Sequence, residues 1–472
     1  MHVRRDPPGG RGAALDCPDR FRGSRRWAVW LAAVACSAVV FSLIRAGSAA
    51  AQDENSINLD DMTKKPYALN GFLELNANHQ ELNQDGAFYK LSYFRDPRRA
   101  SLDQSSLALQ LEGDYAQDLL QLHFRVNNTE TNDYTGSSWN SVWQEAYVAV
   151  QPGPSLTVDA GKRVTRWGKG YAFNPVAFVD RPKDPNDPDL TQEGFVMVRA
   201  ETIRSFAGAL RNAAFTLVLL PVQQKINNDF GPVQDQPVTN VAGKLYLLAW
   251  DTDIDLVALA DGTRSSRYGF DFSRNLKTNF EIHGEWAAVG DVTQPILQPQ
   301  GAATSGAEAV TIRRGEAESW LLGLRYLTEG NLTAIAEYYA NGGGYSAAEE
   351  SAYFRFVAQS TQRFQATGNA SSLQLAQNLQ QGAYGRPNLG RSYAYLRLSQ
   401  KDAFGWLYFT PGLIEIENAE DESSMTTLEA LYTGVTNLEV RFRYTVLQGA
   451  RYTEFAEKQL RSRVELRARL FF

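Results

Sequence analysis

The segment from Leu460 to Phe472 constrains this 472-residue chain more tightly than any other. In an extended strand, Leu460, Ser462, Val464, Leu466, Ala468, Leu470 and Phe472 share one face, and Arg461, Arg463, Glu465, Arg467, Arg469 and Phe471 share the other. Five charges on one face exclude a dry core on that side, and the uniform apolar face opposite excludes water on the other. A wall with lipid outside and water inside satisfies both.

The same alternation recurs upstream. Leu438, Val440, Phe442, Tyr444 and Val446 oppose Glu439, Arg441, Arg443 and Thr445, and Leu120, Leu122, Phe124 and Val126 oppose Gln121, His123, Arg125 and Asn127. Similar runs occupy 67–77, 107–114 and 332–338. Short turns rich in Gly, Pro, Asp and Asn fall at about 115–118, 151–155, 202–205, 251–253, 274–278, 328–331, 400–403 and 434–437. Between them lie longer polar connections at about 79–104, 127–140, 165–194, 222–240, 261–266, 287–315, 340–389, 418–425 and 447–459. Strict alternation of nine loops with eight turns predicts an all-β fold, a transmembrane antiparallel up-and-down β-barrel of about 18 strands, 16 being the alternative, with long extracellular loops. The seventh connection is long enough for structure of its own, and the proline-free runs 347–366 and 371–381 predict short helices there.

Only one run is apolar enough for a membrane helix, Trp27 to Ile44, behind Arg22, Arg25 and Arg26 and ahead of Ala49-Ala50-Ala51. It reads as a cleaved secretory signal over 1–51, followed by a periplasmic segment at 52–66 and the barrel at 67–472. Mean hydropathy of −0.36 is too polar for a helical bundle. Both cysteines, Cys17 and Cys36, lie in the leader, so the mature chain has no disulfide, thiolate metal site or cysteine nucleophile. The mature chain keeps 39 basic against 50 acidic residues, a poor balance for nucleic acid.

The chain closes on Arg-Leu-Phe-Phe, and its terminal aromatic, Phe472, resembles the signal by which the barrel-assembly machinery recognises bacterial outer-membrane barrels. Two further stretches look family-like, Arg163-Val-Thr-Arg-Trp-Gly-Lys-Gly-Tyr171 and Glu337-Tyr-Tyr-Ala-Asn-Gly-Gly-Gly-Tyr345. Across its mature length the sequence resembles the large porin-type barrels, alginate-export-like channels included. The resemblance implies a channel in outer-membrane lipid and a third loop folded inward. Mapped here, the constriction falls on 165–194, with Arg166, Lys169, Asp180, Arg181, Lys183 and Asp184 as its charged residues and four prolines stiffening it.

Inward arginines cluster in the last strands. Arg441, Arg443, Arg461, Arg463, Arg467 and Arg469 are placed to form a charge ladder that attracts anions, or to pair with wall carboxylates such as Glu415, Glu417 and Glu429. Asp184-Pro-Asn-Asp-Pro-Asp189 lacks the ligand spacing of calcium loops. His123 and His283 point to the lumen without a serine or acid partner nearby in sequence, and no G-x-S-x-G element, metal spacing or phosphate loop is present. The expectation is a non-enzymatic channel without cofactor or metal, passing small solutes, anionic ones among them. Export of a polysaccharide or another secreted molecule is the alternative, with a barrel enzyme behind both; the oligomeric state is open.

Overall fold

The computed structural model describes residues 66–95, 99–297 and 310–472; the expected signal and nearly all of the segment 52–66 lie outside them. Eighteen strands form one closed antiparallel sheet. They are β1 (Tyr67–Leu82), β2 (Ser101–Gln117), β3 (Leu120–Asp133), β4 (Gly136–Gly153), β5 (Leu156–Arg163), β6 (Phe195–Ser205), β7 (Leu210–Val222), β8 (Val238–Ala249) and β9 (Thr252–Leu259). The second half is β10 (Arg267–Lys277), β11 (Phe280–Leu297), β12 (Val310–Leu327), β13 (Leu332–Ala340), β14 (Ser392–Gln400), β15 (Phe409–Asn418), β16 (Ser423–Val435), β17 (Leu438–Gln448) and β18 (Leu460–Phe471). Each strand pairs with its neighbour in sequence, and β18 closes on β1 with Ala468 opposite Leu75. Closure leaves no edge with unpaired backbone groups, the condition for a sheet in lipid.

Outward positions form an apolar belt around the ring. Leu73, Leu107, Leu122, Val148, Val198, Leu217, Leu256, Phe270, Leu322, Leu428, Phe442 and Leu466 all stay exposed. At the seam, Phe472 exchanges backbone hydrogen bonds of 3.0 Å with Gly71 in both directions. Glycine is required there. A Cβ on Gly71 would sit 2.4 Å from the Gln110 carbonyl oxygen and 2.9 Å from the Phe472 ring.

Four connections differ from the sequence reading. The turn expected at 202–205 lies at 206–209, because β6 runs on to Ser205. The expected loop at 127–140 is mostly strand, because β3 and β4 run on to a tight turn at 134–135. Likewise β11 and β12 extend well into 287–315, and only the tip at 298–309 lies outside the described residues. Polar side chains on both faces look like loop in sequence, but the backbone ladder continues without an apolar face once a hairpin stands clear of lipid. The turn expected at 400–403 spans 401–408 instead.

On the long-loop side, the first loop carries helix α1 (Ala87–Tyr93) and the seventh carries α2 (Ala347–Thr367) and α3 (Ser371–Leu379). Ser346 caps α2 in a reciprocal box with Glu349, and Gly368, at φ 73°, ends it. Phe88 and Leu91 of α1, Tyr353, Phe354 and Val357 of α2, Leu373 and Ala376 of α3, and Leu297 of β11 share one buried cluster. It joins the β1–β2 side of the ring to the β11–β12 side through the seventh loop.

Candidate functional site

The third loop, 164–194, leaves the wall between β5 and β6, and its residues reach strands on the opposite side of the ring. Its start is folded by Asp180, a buried carboxylate that accepts hydrogen bonds from the N–H groups of Thr165 (2.8 Å), Arg166 (3.1 Å) and Trp167 (2.8 Å). This tight turn places Arg166 in the left-handed region, φ 56°, with its side chain exposed.

Two buried wall carboxylates then act as anion sites turned round, receiving loop backbone donors. Glu285 on β11 accepts from the N–H of Lys169 (2.6 Å), Gly170 (2.7 Å) and Val176 (3.2 Å) and from Asn174 Nδ2 (3.1 Å). Glu337 on β13 accepts from the N–H groups of Tyr171 and Ala172 and lies 3.0 Å from His283 Nε2. Charge-assisted bonds of this kind are the strong ones in a protein interior. The two family-like stretches of the sequence therefore meet here, Tyr171 against Glu337.

Apolar packing adds to these bonds. Trp167, Val176, Phe178 and Val179 are buried against Met197, Val218, Leu220 and Val257 on β6, β7 and β9. Across the ring, Phe173 packs on Tyr393, Tyr395, Ile414 and Ile416 of β14 and β15. Each fully buried side chain of this size contributes about 1.5–3 kcal/mol, so the loop is held as a packed layer inside the barrel. Strands facing it need apolar residues on both faces.

Basic loop residues are bound in turn. Lys169 lies 3.0 Å from Asp255 and 3.8 Å from Asp271, a cross-strand acid pair on β9 and β10. Burial disfavours its charge, but those two acids outweigh burial and hold its ammonium above the ordinary lysine range. Lys183 donates to the Gly170 carbonyl at 2.7 Å, and burial pushes its ammonium below the ordinary range despite Glu285 and Glu337. Arg181 pairs with Asp229 at 2.7 Å and donates to the carbonyls of Glu193 and Gly194. Asp184 is exposed and accepts from the Asn186 N–H at 2.9 Å.

The loop tip meets the arginine cluster. Asp187 lies 3.6 Å from Arg441, 3.6 Å from Arg443 and 3.4 Å from Arg467, and Arg443 also donates to the Asn186 carbonyl. Asp189 pairs with Arg397 of β14 at 2.9 Å. Arg441 and Arg443 also approach Glu429 (3.7 and 3.6 Å), Arg441 approaches Glu439 (3.5 Å), Arg467 pairs with Glu465 (2.7 Å), Arg469 with Glu74 (2.7 Å), and Arg463 lies 3.8 Å from Glu465. Five arginines thus face five carboxylates, Asp187, Glu429, Glu439, Glu465 and Glu74. Arg461 stands apart, exposed, among Gln448, Arg451 and Leu460 at the long-loop end of β18. Glu415 and Glu417 share neither network: with Ile414 and Ile416 turned to the loop, they fall on the outward face of β15.

Along β2 and β3 the loop borders a cavity of about 300 Å³, lined by Gln110, Glu112 and Arg125 of the wall and by Arg166, Lys183 and Asp189 of the loop. Arg125 is held by Glu112 (2.8 Å) and Glu145 (2.6 Å). Arg166 has no ion pair among the described residues. His123 lies 2.7 Å from Asp114, and with Glu112 these form the one group of possible metal ligands among the described residues, with the Arg125 cation beside it. Sequence reasoning passed over Glu285, Glu337, Asp255 and Asp271. Their signal was an acidic side chain in the inward phase of its strand, which other wall carboxylates share.

No protein-family model and no curated protein matches the sequence. Among solved structures the chain is similar to OprD of Pseudomonas aeruginosa, at 12% identity over 86% of this chain and 94% of that one, TM-score 0.44. OccAB3 of Acinetobacter baumannii follows at 8% identity, 86% and 99% coverage, TM-score 0.43. Wzi of Escherichia coli, described as a carbohydrate-binding barrel involved in capsule assembly, is 10% identical over 88% and 86%, TM-score 0.47. What they share is a β-barrel. Likeness at this level assigns neither a solute nor a direction of transport.

Proposed function

We propose that the chain is an outer-membrane channel through which small solutes, anionic ones among them, diffuse, and that the loop 164–194 is its constriction. The apolar belt around a closed eighteen-stranded sheet supports insertion in lipid. The observation that carries the reading is the loop itself, bonded to walls on opposite sides of the ring and bordering a cavity of about 300 Å³ beside β2 and β3. We place the solute path along this cavity, where the narrowest section would control resistance, and Arg166, without an ion pair on its border, is the residue placed to favour anions.

Purified protein in planar bilayers tests this. Deleting Arg181 to Leu190 is expected to raise single-channel conductance, and Arg166→Gln to move the reversal potential in a salt gradient toward cations. Absence of any conductance from the folded wild-type barrel would overturn the reading. Small solutes are favoured over a polysaccharide because the helical cap on the long-loop side is a packed cluster with 14 buried side chains, which a polymer would have to displace.

A further inference from the structure

At the short-turn end of the ring, the connection between β14 and β15 differs from the others. Residues 401–408 form the longest connection at that end and carry Phe404, Trp406, Leu407 and Tyr408, which are 86%, 67%, 67% and 54% exposed. A group of large apolar side chains held in water is costly, and it marks a surface that something covers. The turn is built rather than loose. The Tyr408 N–H donates to Asp402 Oδ1 (2.6 Å), the Trp406 N–H to the Ala403 carbonyl (3.0 Å), and the Thr433 N–H of β16 to the Tyr408 carbonyl (3.1 Å). Asp402, Phe404 and Tyr408 hold left-handed φ angles of 53°, 58° and 66°, a region that bulky residues rarely adopt.

One edge of this turn joins the apolar belt. Ile414 and Ile416 of β15 turn inward, so Phe409 of the same strand falls on the outward face, opposite Tyr432 of β16, which stays exposed. The Trp406 ring meets Phe409 edge-on, with centroids 5.6 Å apart. The belt therefore continues from the strand onto the turn. Lys401, exposed, opens the same segment, while the carboxylate of Asp402 is taken up by the Tyr408 N–H. Indole and phenol rings beside a lysine suit the lipid–water boundary, where the rings lie among headgroups and the ammonium reaches their phosphates. A protein seated on Trp406 would have to share Phe409 with lipid, so the continuity favours the membrane as the occupant.

We propose that the turn 401–408 lies in the lipid–water interface of the leaflet on the short-turn side, with Phe404, Trp406 and Leu407 set into phospholipid, and fixes the depth of this sector of the ring. This rests on insertion of the belt in lipid and not on conduction. Both cysteines lie in the expected leader, so the mature barrel accepts one engineered cysteine at a time for a fluorescent label in phospholipid nanodiscs. Leu407→Cys is read beside Leu428→Cys on the belt and Glu329→Cys on another short turn. The Leu407→Cys label is expected to lose fluorescence to doxyl-labelled phospholipid about as the belt label does and to be shielded from aqueous iodide, with Glu329→Cys showing the reverse. Phe404→Cys gives the same reading if Leu407→Cys fails to fold. Quenching of the turn label by iodide alone, with the belt label still quenched by lipid, would overturn the proposal and leave the turn as a docking surface for a periplasmic protein. A belt label that lipid does not quench would overturn the insertion reading, and the proposal with it.

Discussion

Asp187→Asn isolates the junction between the third loop and the arginine cluster. One carboxylate serves Arg441, Arg443 and Arg467 at 3.4–3.6 Å, and its side chain is 11% exposed. Removing one partner of a buried pair costs about 3–5 kcal/mol. Here Glu429, Glu439 and Glu465 remain beside the three arginines, so the loss falls to about 1–3 kcal/mol of docking energy for the loop tip, or about 5- to 150-fold in the docked-to-free ratio. The local charge also moves from five against five to an excess of one positive. Asparagine keeps the shape. The expected result in planar bilayers is noisier, larger single-channel conductance and a reversal potential shifted toward anions, with the shift fading as salt shortens the Debye length. Unchanged conductance together with an unchanged reversal potential would refute the view that Asp187 couples the loop to the cluster.

Five other outcomes follow from the same geometry. Glu285→Ala removes the acceptor of four loop donors and is expected to free the loop base, exposing Lys169 to trypsin in the purified barrel while the strands stay protected. Gly71→Val forces a side chain into the Gln110 carbonyl and the Phe472 ring and is expected to cost about 1–3 kcal/mol at the seam, read as less heat-modifiable folded barrel; deleting Phe472 removes both 3.0 Å bonds to Gly71 and should lower the same yield. Changing Arg441, Arg443, Arg463 and Arg467 together to glutamine leaves the five carboxylates in excess and should turn selectivity toward cations. In intact cells, an added protease is expected to cut the exposed link between α2 and α3 at 368–370 and to spare the turn at 328–331; the reverse pattern would invert the topology.

Period-two alternation is a property of the chain itself, so strands that divide lipid from water were legible residue by residue, and β17 and β18 most of all. Alternate long and short connections carried the count of eighteen, because each hairpin leaves a turn signal whatever it packs against. Helices α2 and α3 were legible from propensity alone. Strands whose both faces are polar, as at 127–140, were not, since a ladder above the membrane is held by backbone bonds that side-chain polarity does not report.

The site divides along the same line. The sequence marked 165–194 as charged and proline-stiffened and marked the arginines as inward, both of which depend on composition and phase. Only the tertiary structure decided that Asp187 joins them, that Glu285 and Glu337 anchor the loop through its backbone, and that Arg461 stays outside. Those contacts bridge residues separated by 109 to 280 positions, across a closed ring whose opposite walls no local pattern brings together. The loop's path depends on which wall offers an unpaired carboxylate or an apolar strip, and that is a fact of closure.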